Sequence, residues 1–497
     1  MALFTDIALE ARIAARSLAD YVGGTGLRLG VTGLSRAGKT VFITALVDAL
    51  TQAPKAASLG RRNNLPVFRV HAEGRLVRAF LEPQPDDAVP RFAYEDHLAA
   101  LTGGDAGPDA RHWPHSTRRI SELRLTLEFE SKIGWGKGTR SLTLDIVDYP
   151  GEWLLDLPLL DKTYAQWSAE SLEAASSAAR ASLAADWRGF LTNIDPSAPA
   201  REDVARQAAE IFTAYLRACR ADAYALSTLP PGRFLMPGDL EGSPALTFAP
   251  LPVTQTHKPG SLAAMMERRY EAYKTHVVRP FFRDHFARID RQIVLVDALA
   301  ALNSGPAAVR DLETAMTDVL MAFRAGRATL LSTLLRPRAD RILFAATKAD
   351  HLHHTSHDRL EAILRHLTGR AIARAEGVGA RVDVIALAGV RATREAEVKH
   401  DGDLLEAIVG TPLADESLGG ELFDGVREAA IFPGLLPADP RSVFRGEALG
   451  LPEGEADYRF VRFRPPLPQA DASGARAPLP HIRLDRALEF LLGDKLS

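Results

Sequence analysis

Gly33-Leu34-Ser35-Arg36-Ala37-Gly38-Lys39-Thr40 sets two glycines, a lysine and a hydroxyl at the spacing G-x-x-x-x-G-K-[ST]. Each part has a job around a polyphosphate. Gly33 and Gly38 permit torsions that turn successive N–H groups inward, so the chain through Ser35, Arg36 and Ala37 to Val41 forms a nest for phosphate oxygens. A helix following directly aims the positive end of its dipole at the same anion. Lys39 reaches the β- and γ-phosphates and the Thr40 hydroxyl ligates Mg²⁺. Only ten of the 60 basic residues are lysines, so a lysine falling in this motif by accident is rare.

A phosphate loop alone does not separate kinases, ATPases and GTP-driven switches; the motifs after it do. Asp148-Tyr149-Pro150-Gly151 closes an apolar strand, which places Asp148 to hold Mg²⁺ and the Gly151 N–H to meet a γ-phosphate. Thr347-Lys348-Ala349-Asp350 follows another apolar strand. A carboxylate at Asp350 can accept both the N1–H and the exocyclic amine of guanine, a donor pair adenine lacks, while the Lys348 stem lies along the base. Thr347 stands where Asn is commoner and weakens one bracing hydrogen bond. One strand later, Ala388 is the candidate backbone donor to the guanine carbonyl. Thr117, with Ser116 as competitor, is the candidate switch threonine, sensing Mg²⁺ and γ-phosphate ahead of the strand starting at Ile120.

Hydrolysis needs positioning and charge stabilisation rather than covalent chemistry. The residue after Asp-x-x-Gly in related switches is a glutamine that orients the attacking water, whereas here it is Glu152. A carboxylate accepts from water but cannot donate to the γ-phosphate, and its charge repels it. Slow intrinsic turnover is the expectation. Stabilising charge is available from Arg36, Arg118 or Arg119, and Ser35 occupies a position where an incoming external arginine usually needs glycine. Trp113 and Trp153 adjoin the two predicted mobile segments, so their emission is expected to differ between GTP and GDP.

The elements that must position these residues follow from hydrophobic period. Leu27–Thr32 reads as a strand and Val41–Leu50 as a helix, with the phosphate loop between. Alternation at Leu123, Leu125, Leu127 and Phe129, a glycine-rich turn, and Ser141–Val147 predict a hairpin. Ile293–Val296, Ile342–Ala346 and Val382–Leu387 are buried strands separated by helical patterns near 306–326 and 357–375. The fold class is therefore α/β: a three-layer α/β/α P-loop NTPase domain with large, mainly helical insertions. The division expected is an amphipathic helix at 1–24, a first half of the nucleotide domain at 25–152 with an insertion at 52–116, a helical insertion at 153–290, the second half at 291–410, and an extension at 411–497 packing on the core. Long helices are expected at 168–193, 201–221 and 261–288, and a strand (Tyr458–Phe463) and a helix (Leu484–Leu492) near the end.

Composition narrows the functions. The 60 basic and 63 acidic residues nearly cancel in this 497-residue chain, which removes the bulk field a general nucleic-acid binder uses. The single cysteine, Cys219, allows no internal disulfide and fits a reducing cytoplasm. Asp6, Glu10 and Arg12 interrupt the apolar stretch a signal peptide needs, and no run approaches the ~18 apolar residues of a membrane span. A cytoplasmic protein, peripheral to a membrane at most, is the expectation.

GLSRAGKT at 33–40, WPHSTRRISELRL at 113–125, DYPGEW at 148–153, TKAD at 347–350 and VRAT at 390–393 together resemble the YcjX-like family of bacterial P-loop GTPases across almost the whole chain. The resemblance implies GTP/GDP and Mg²⁺ as ligands, a GTPase-like domain with extra helical material, and an intracellular setting linked to envelope or heat stress. It also implies, through gene neighbourhood, a small membrane protein as partner. Like heterotrimeric G-protein α subunits, the chain has a large insertion between the first helix and the switch threonine, at 52–116, and a still larger one lies between the Asp-x-x-Gly and the fourth strand, at 153–290. Three functional classes remain: a regulatory GTPase, an ATPase or small-molecule kinase with its second substrate pocket in the 153–290 insertion, and a nucleotide-stabilised scaffold without useful turnover.

Overall fold

The computed structural model describes residues 26–497 except 35, 59–63, 85, 116–118, 133–137, 222–223, 254–256, 322–338, 378, 401–402, 415, 419, 445–457, 459 and 471–473. The expected helix at 3–22, Ser35, Ser116, Thr117 and Arg118 therefore lie outside the described residues.

Strand β1 (Gly26–Gly33) leads through the phosphate loop into helix α1 (Lys39–Ser58). β2 (Leu76–Glu82) and α2 (Tyr94–Thr102) follow, then the hairpin β3 (Ser121–Glu130) and β4 (Thr139–Asp148). Beyond the 3₁₀ run Gly151–Asp161 come helices α3 (Tyr164–Ser176), α4 (Ala185–Thr192), α5 (Glu202–Arg220) and α6 (Leu262–Tyr273). The chain then returns to the sheet as β5 (Arg291–Val296), with α7 (Ala298–Asn303) and α8 (Pro306–Met321) leading to β6 (Arg341–Ala346). Helices α9 (His357–Leu367) and α10 (Gly369–Gly377) precede β7 (Arg381–Ala386). A small sheet of β8 (Arg394–His400), β9 (Asp403–Gly410) and β10 (Ala429–Ile431) follows, and α11 (Leu484–Leu492) lies near the end.

The main sheet has the order β2-β3-β4-β1-β5-β6-β7. β4, β1, β5, β6 and β7 are parallel, and the β3–β4 and β2–β3 pairs are antiparallel. Side-chain alternation divides the core between its two faces. Leu29 and Val31 of β1, Ile293 and Leu295 of β5, and Leu343 of β6 meet α1 and α11 on one side. Val294, Val296, Ile342 and Phe344 meet α8, α9 and the helices of the 153–290 insertion on the other. This is the expected three-layer arrangement. The polar residues of the hairpin face are also used: Arg124 grips Asp145 through two contacts of 2.6 and 2.8 Å, with both side chains nearly buried.

Several expectations are corrected. The pattern over 168–193 gives two helices, because the chain leaves the helix at Ser177, which is extended, and runs as turns to Ala184. The 357–375 pattern divides at Thr368-Gly369, and 261–288 stays helical but passes through a π-turn at Lys274–Val278. Among the described residues of Tyr458–Phe463, which leave out 459, there is one bridge, Phe463 to Pro412, rather than a strand. Val461 and Phe463 are buried alternately against Ile408 and Ile431, which imitates a strand's period without a strand's ladder. The 52–116 insertion, without a readable period, supplies β2 at the sheet edge.

Candidate functional site

At a switch point in an open parallel sheet, neighbouring crossovers leave a crevice at the strands' carboxyl ends, and ligands collect there. β1 occupies that point, between β4 and β5. Its register pairs Val31 with Asp148 and Gly33 with Leu295, so the phosphate loop and the Asp-x-x-Gly turn leave the sheet side by side.

The loop has the shape its glycines predict. Gly38 sits at φ +80°, Arg36 at φ +62°, and Ala37 donates its N–H to the Leu34 carbonyl at 3.2 Å. A Cβ at Gly33 would lie 2.5 Å from the Leu295 carbonyl oxygen. Lys39 Nζ reaches back to the Gly33 carbonyl at 3.1 Å, over the loop, and Thr40 is buried in the first turn of α1. Asp148 is buried at the tip of β4, and Gly151 lies so close to the loop that a Cβ there would be 1.7 Å from the Gly33 carbonyl oxygen. The donors gathered here, the Thr40 hydroxyl and the Asp148 carboxylate, are oxygens only, the chemistry that suits Mg²⁺.

At the far end of the crevice Thr347 caps β6, donating both its N–H (2.9 Å) and its hydroxyl (3.3 Å) to the Val296 carbonyl. Lys348 adopts φ +61° and its ammonium meets the Asp297 carboxylate. Asp350 is buried, and the VRAT segment braces it: the Ala392 N–H donates to its Oδ2 at 2.9 Å and the Thr393 hydroxyl donates to its main-chain oxygen. A carboxylate has about four acceptor sites, so this bond leaves capacity for two donors from a base. A cavity of about 270 Å³ joins the two ends, lined by Arg36, Ala37, Gly38, Lys39, Thr40 and Val41 at one end and by Thr347, Lys348 and Asp350 at the other. Trp113 and Phe463 form a wall of the same cavity, tied by the Trp113 indole N–H to the Phe463 carbonyl at 2.6 Å.

Four site expectations change. Ala388 lines the cavity, but its N–H donates to the Ile482 carbonyl at 3.1 Å in a two-way bridge and is already spent. Glu152 is buried rather than facing solvent water, and its Oε1 pairs with Arg220 Nη2 at 2.8 Å. The stretch after Gly151 is packed interior: Glu152 through Leu157 are all buried. Trp153 donates to the Met236 carbonyl at 2.9 Å, stacks under Arg233 and meets Phe281 edge-on, so it is a core residue. Arg119 points away to Asp239 in an exposed pair.

Arg220 is the residue that sequence reading missed. As one of fifty arginines, at the end of an amphipathic helix, it carries no local signal. Only the tertiary contact with Glu152 distinguishes it. It also lines a second cavity, about 510 Å³, which shares Arg36, Lys348 and Arg462 with the first. Burial, then the charges of Arg220 and Arg462, lower the Arg36 pKa from its ordinary value.

A mixed sheet with a glycine-bounded phosphate loop at its switch point and an aspartate-bearing loop two parallel strands away defines a GTPase-like P-loop domain. The chain belongs to the YcjX-like family (DUF463), whose description matches residues 27–496. It is similar to the Ras-like GTPase YcjX of Escherichia coli K12, 40% identical over 481 residues that cover 95% of this chain and 96% of the relative. It is also similar to the Ras-like GTPase YcjX of Shewanella oneidensis MR-1, 34% identical over 501 residues and 97% of each chain. Among the described residues no helix is long and apolar enough to cross a membrane.

Proposed function

We propose that this chain binds GTP and GDP with Mg²⁺ and hydrolyses GTP slowly, as a nucleotide-dependent switch. The observation that carries the reading is the common cavity of about 270 Å³, lined by Lys39 and Thr40 at one end and by Asp350 at the other. Motifs more than 300 positions apart have no reason to converge on one crevice unless one ligand spans both. The relatives' name, Ras-like GTPase, supports the same chemistry.

In this reading Lys39 and the amides from Gly33 to Val41, including those of Ser35, Arg36 and Ala37, hold the phosphates. Thr40, Thr117 and Asp148 hold Mg²⁺, which when bound neutralises charge on the β- and γ-phosphates. The Gly151 N–H meets the γ-phosphate, while Asp350, Lys348 and Thr347 read the base. Slow turnover is expected because Glu152, at the position where a water-orienting amide is usual, is buried and held by Arg220. The regulatory role in envelope or heat stress, and the small membrane protein as partner, rest on family resemblance alone. A second reading, a small-molecule kinase, draws on the adjoining 510 Å³ cavity as a place for an acceptor substrate.

Competition titration of nucleotide-stripped protein separates the two. GTP and GDP are expected to displace a fluorescent guanine nucleotide at least about 100-fold better than ATP, since a site built to pair polar donors rejects analogues lacking them. Asp350→Asn is expected to move preference toward xanthine nucleotides, because the amide then faces a carbonyl where guanine has an amine. Equal displacement by ATP and GTP would remove the guanine assignment, and no binding of any triphosphate would remove the whole reading.

A further inference from the structure

We propose that Arg220, carried on the helical insertion, is the cation that meets the terminal phosphate of bound GTP, and that Glu152 holds it in reserve until the triphosphate arrives. This rests on the GTPase reading and names the source of charge that reading leaves open.

Arg220 closes the 19-residue helix α5, whose apolar face buries Phe212, Tyr215, Leu216 and Cys219 in the insertion core. The helix is thus a rigid arm with a guanidinium at its tip. That guanidinium lies 2.8 Å from Glu152, and both side chains are largely buried, 23% and 6% exposed. Glu152 follows Gly151, whose backbone abuts the Gly33 carbonyl of the phosphate loop, so the pair sits next to where a γ-phosphate would lie. Arg220 also shares a cavity with Leu34 and Arg36 of the loop, and its charge is felt at Arg36.

Other arginines fit less well. Arg119 is engaged with Asp239 on the exposed surface. Arg462 pairs with Glu416 and borders Phe463 on the wall shared with the base end. Arg36 projects from the loop itself and is not carried by a separate element that can move.

A carboxylate beside a triphosphate is repelled, and the guanidinium between them is drawn to whichever anion is stronger. Phosphate oxygens match the guanidinium fork in two contacts at once. During cleavage the water oxygen bonds to the γ-phosphorus as the bond to the β-γ bridging oxygen breaks. GDP leaves with that electron pair and the water's protons pass to the phosphate product and solvent. Arg220 stays protonated throughout and stabilises the oxygens that carry the charge.

The test is single-turnover cleavage of pre-bound GTP by the full chain, with GTP affinity measured on each variant. Arg220→Ala is expected to slow cleavage about 30-fold, the step between switches without and with a built-in arginine, while GTP affinity changes by less than about 3-fold. Arg220→Lys should fall between. Glu152→Gln keeps the side-chain shape, frees the guanidinium from its carboxylate and is expected to raise the rate about 10-fold. That gain should vanish in Glu152→Gln/Arg220→Ala, which also removes the buried carboxylate that Arg220→Ala alone leaves without its arginine and that could unfold that variant. GDP with fluoroaluminate should be trapped by the wild type and not by Arg220→Ala. Unchanged cleavage in Arg220→Ala, or a Glu152→Gln gain that survives without Arg220, overturns the proposal. A wild type that binds no GTP overturns instead the reading on which it rests.

Discussion

At the scale of single residues, the site is governed by how closely backbones approach. Gly151 is the sharpest case, since its Cα faces the Gly33 carbonyl with no room for a methyl group: a Cβ would stand 1.7 Å from that oxygen. The contact is backbone on both sides, so neither can rotate away. Gly151→Ala is therefore expected to push the Asp-x-x-Gly turn off the phosphate loop and destabilise the fold by about 3 kcal/mol, the upper range for overpacking. Urea unfolding of the variant measures it, and a midpoint equal to wild type would mean that the loop and turn are not in contact in solution. The roles proposed for Lys39, Thr40, Asp148 and Asp350 were legible because each sits in a local motif with a chemical reason for its spacing. Arg220 was not, because its meaning lies in a partner 68 positions away, Glu152. The Ala388 expectation failed for a related reason: position along a strand end does not tell whether Ile482, 94 residues on, has already taken the amide.

At the scale of elements, the 3₁₀ run Gly151–Asp161 joins the sheet to the insertion, and one buried carboxylate fastens it. Asp156 Oδ1 accepts the Gly232 N–H at 2.7 Å, and Oδ2 accepts the Tyr273 hydroxyl at 2.7 Å. Burial raises its pKa from 3.8 to about 6, outweighing these hydrogen bonds and the nearby Arg233. Between those two values the folded protein keeps a proton that the unfolded chain has released. Stability from this group is thus fully present at acid pH and is lost as pH rises toward and through about 6. Asp156→Asn removes the titration and keeps the shape. From pH 7 to pH 5 the wild type is expected to gain about 1 kcal/mol on the variant, read as the difference in their urea midpoints. A constant difference across that range would show that Asp156 does not titrate there. Helices and strands with a clean period, such as α11 and the hairpin β3–β4, were readable in the sequence because burial on one face dictates the period. Strand β2 was not, since its Leu76–Glu82 segment is mostly half-exposed at a sheet edge and is held by pairing with β3.

At the scale of the whole molecule, the hydrophobic core on one face of the sheet runs without a break into the helical insertion. Val147 and Tyr149 beside the phosphate loop belong to the same buried cluster as Trp167, Trp187 and Phe212. Across that cluster, Trp167 stacks on Tyr270 and Trp187 on Tyr215, with ring centroids 5.0 and 5.2 Å apart. A packed interior of this kind moves as rigid pieces rather than deforming smoothly. The turn after Asp148 is interior, so a change at the γ-phosphate has no loose loop there to absorb it. The adjoining pieces, the 3₁₀ run and α5, must take it up through Glu152–Arg220 and Asp156–Gly232. Hydrogen exchange comparing GTP- and GDP-loaded protein is then expected to change protection at the C-terminal end of α5 and across residues 230–237, with β2 and α11 unchanged. The anchor of α11 explains its silence: Arg291 is 1% exposed and holds Asp494 and the Leu491 carbonyl at the opposite end of β5 from the crevice. If exchange instead changed only in the phosphate loop and left α5 untouched, the insertion would be a passive cover, and the surface a partner reads would have to lie elsewhere.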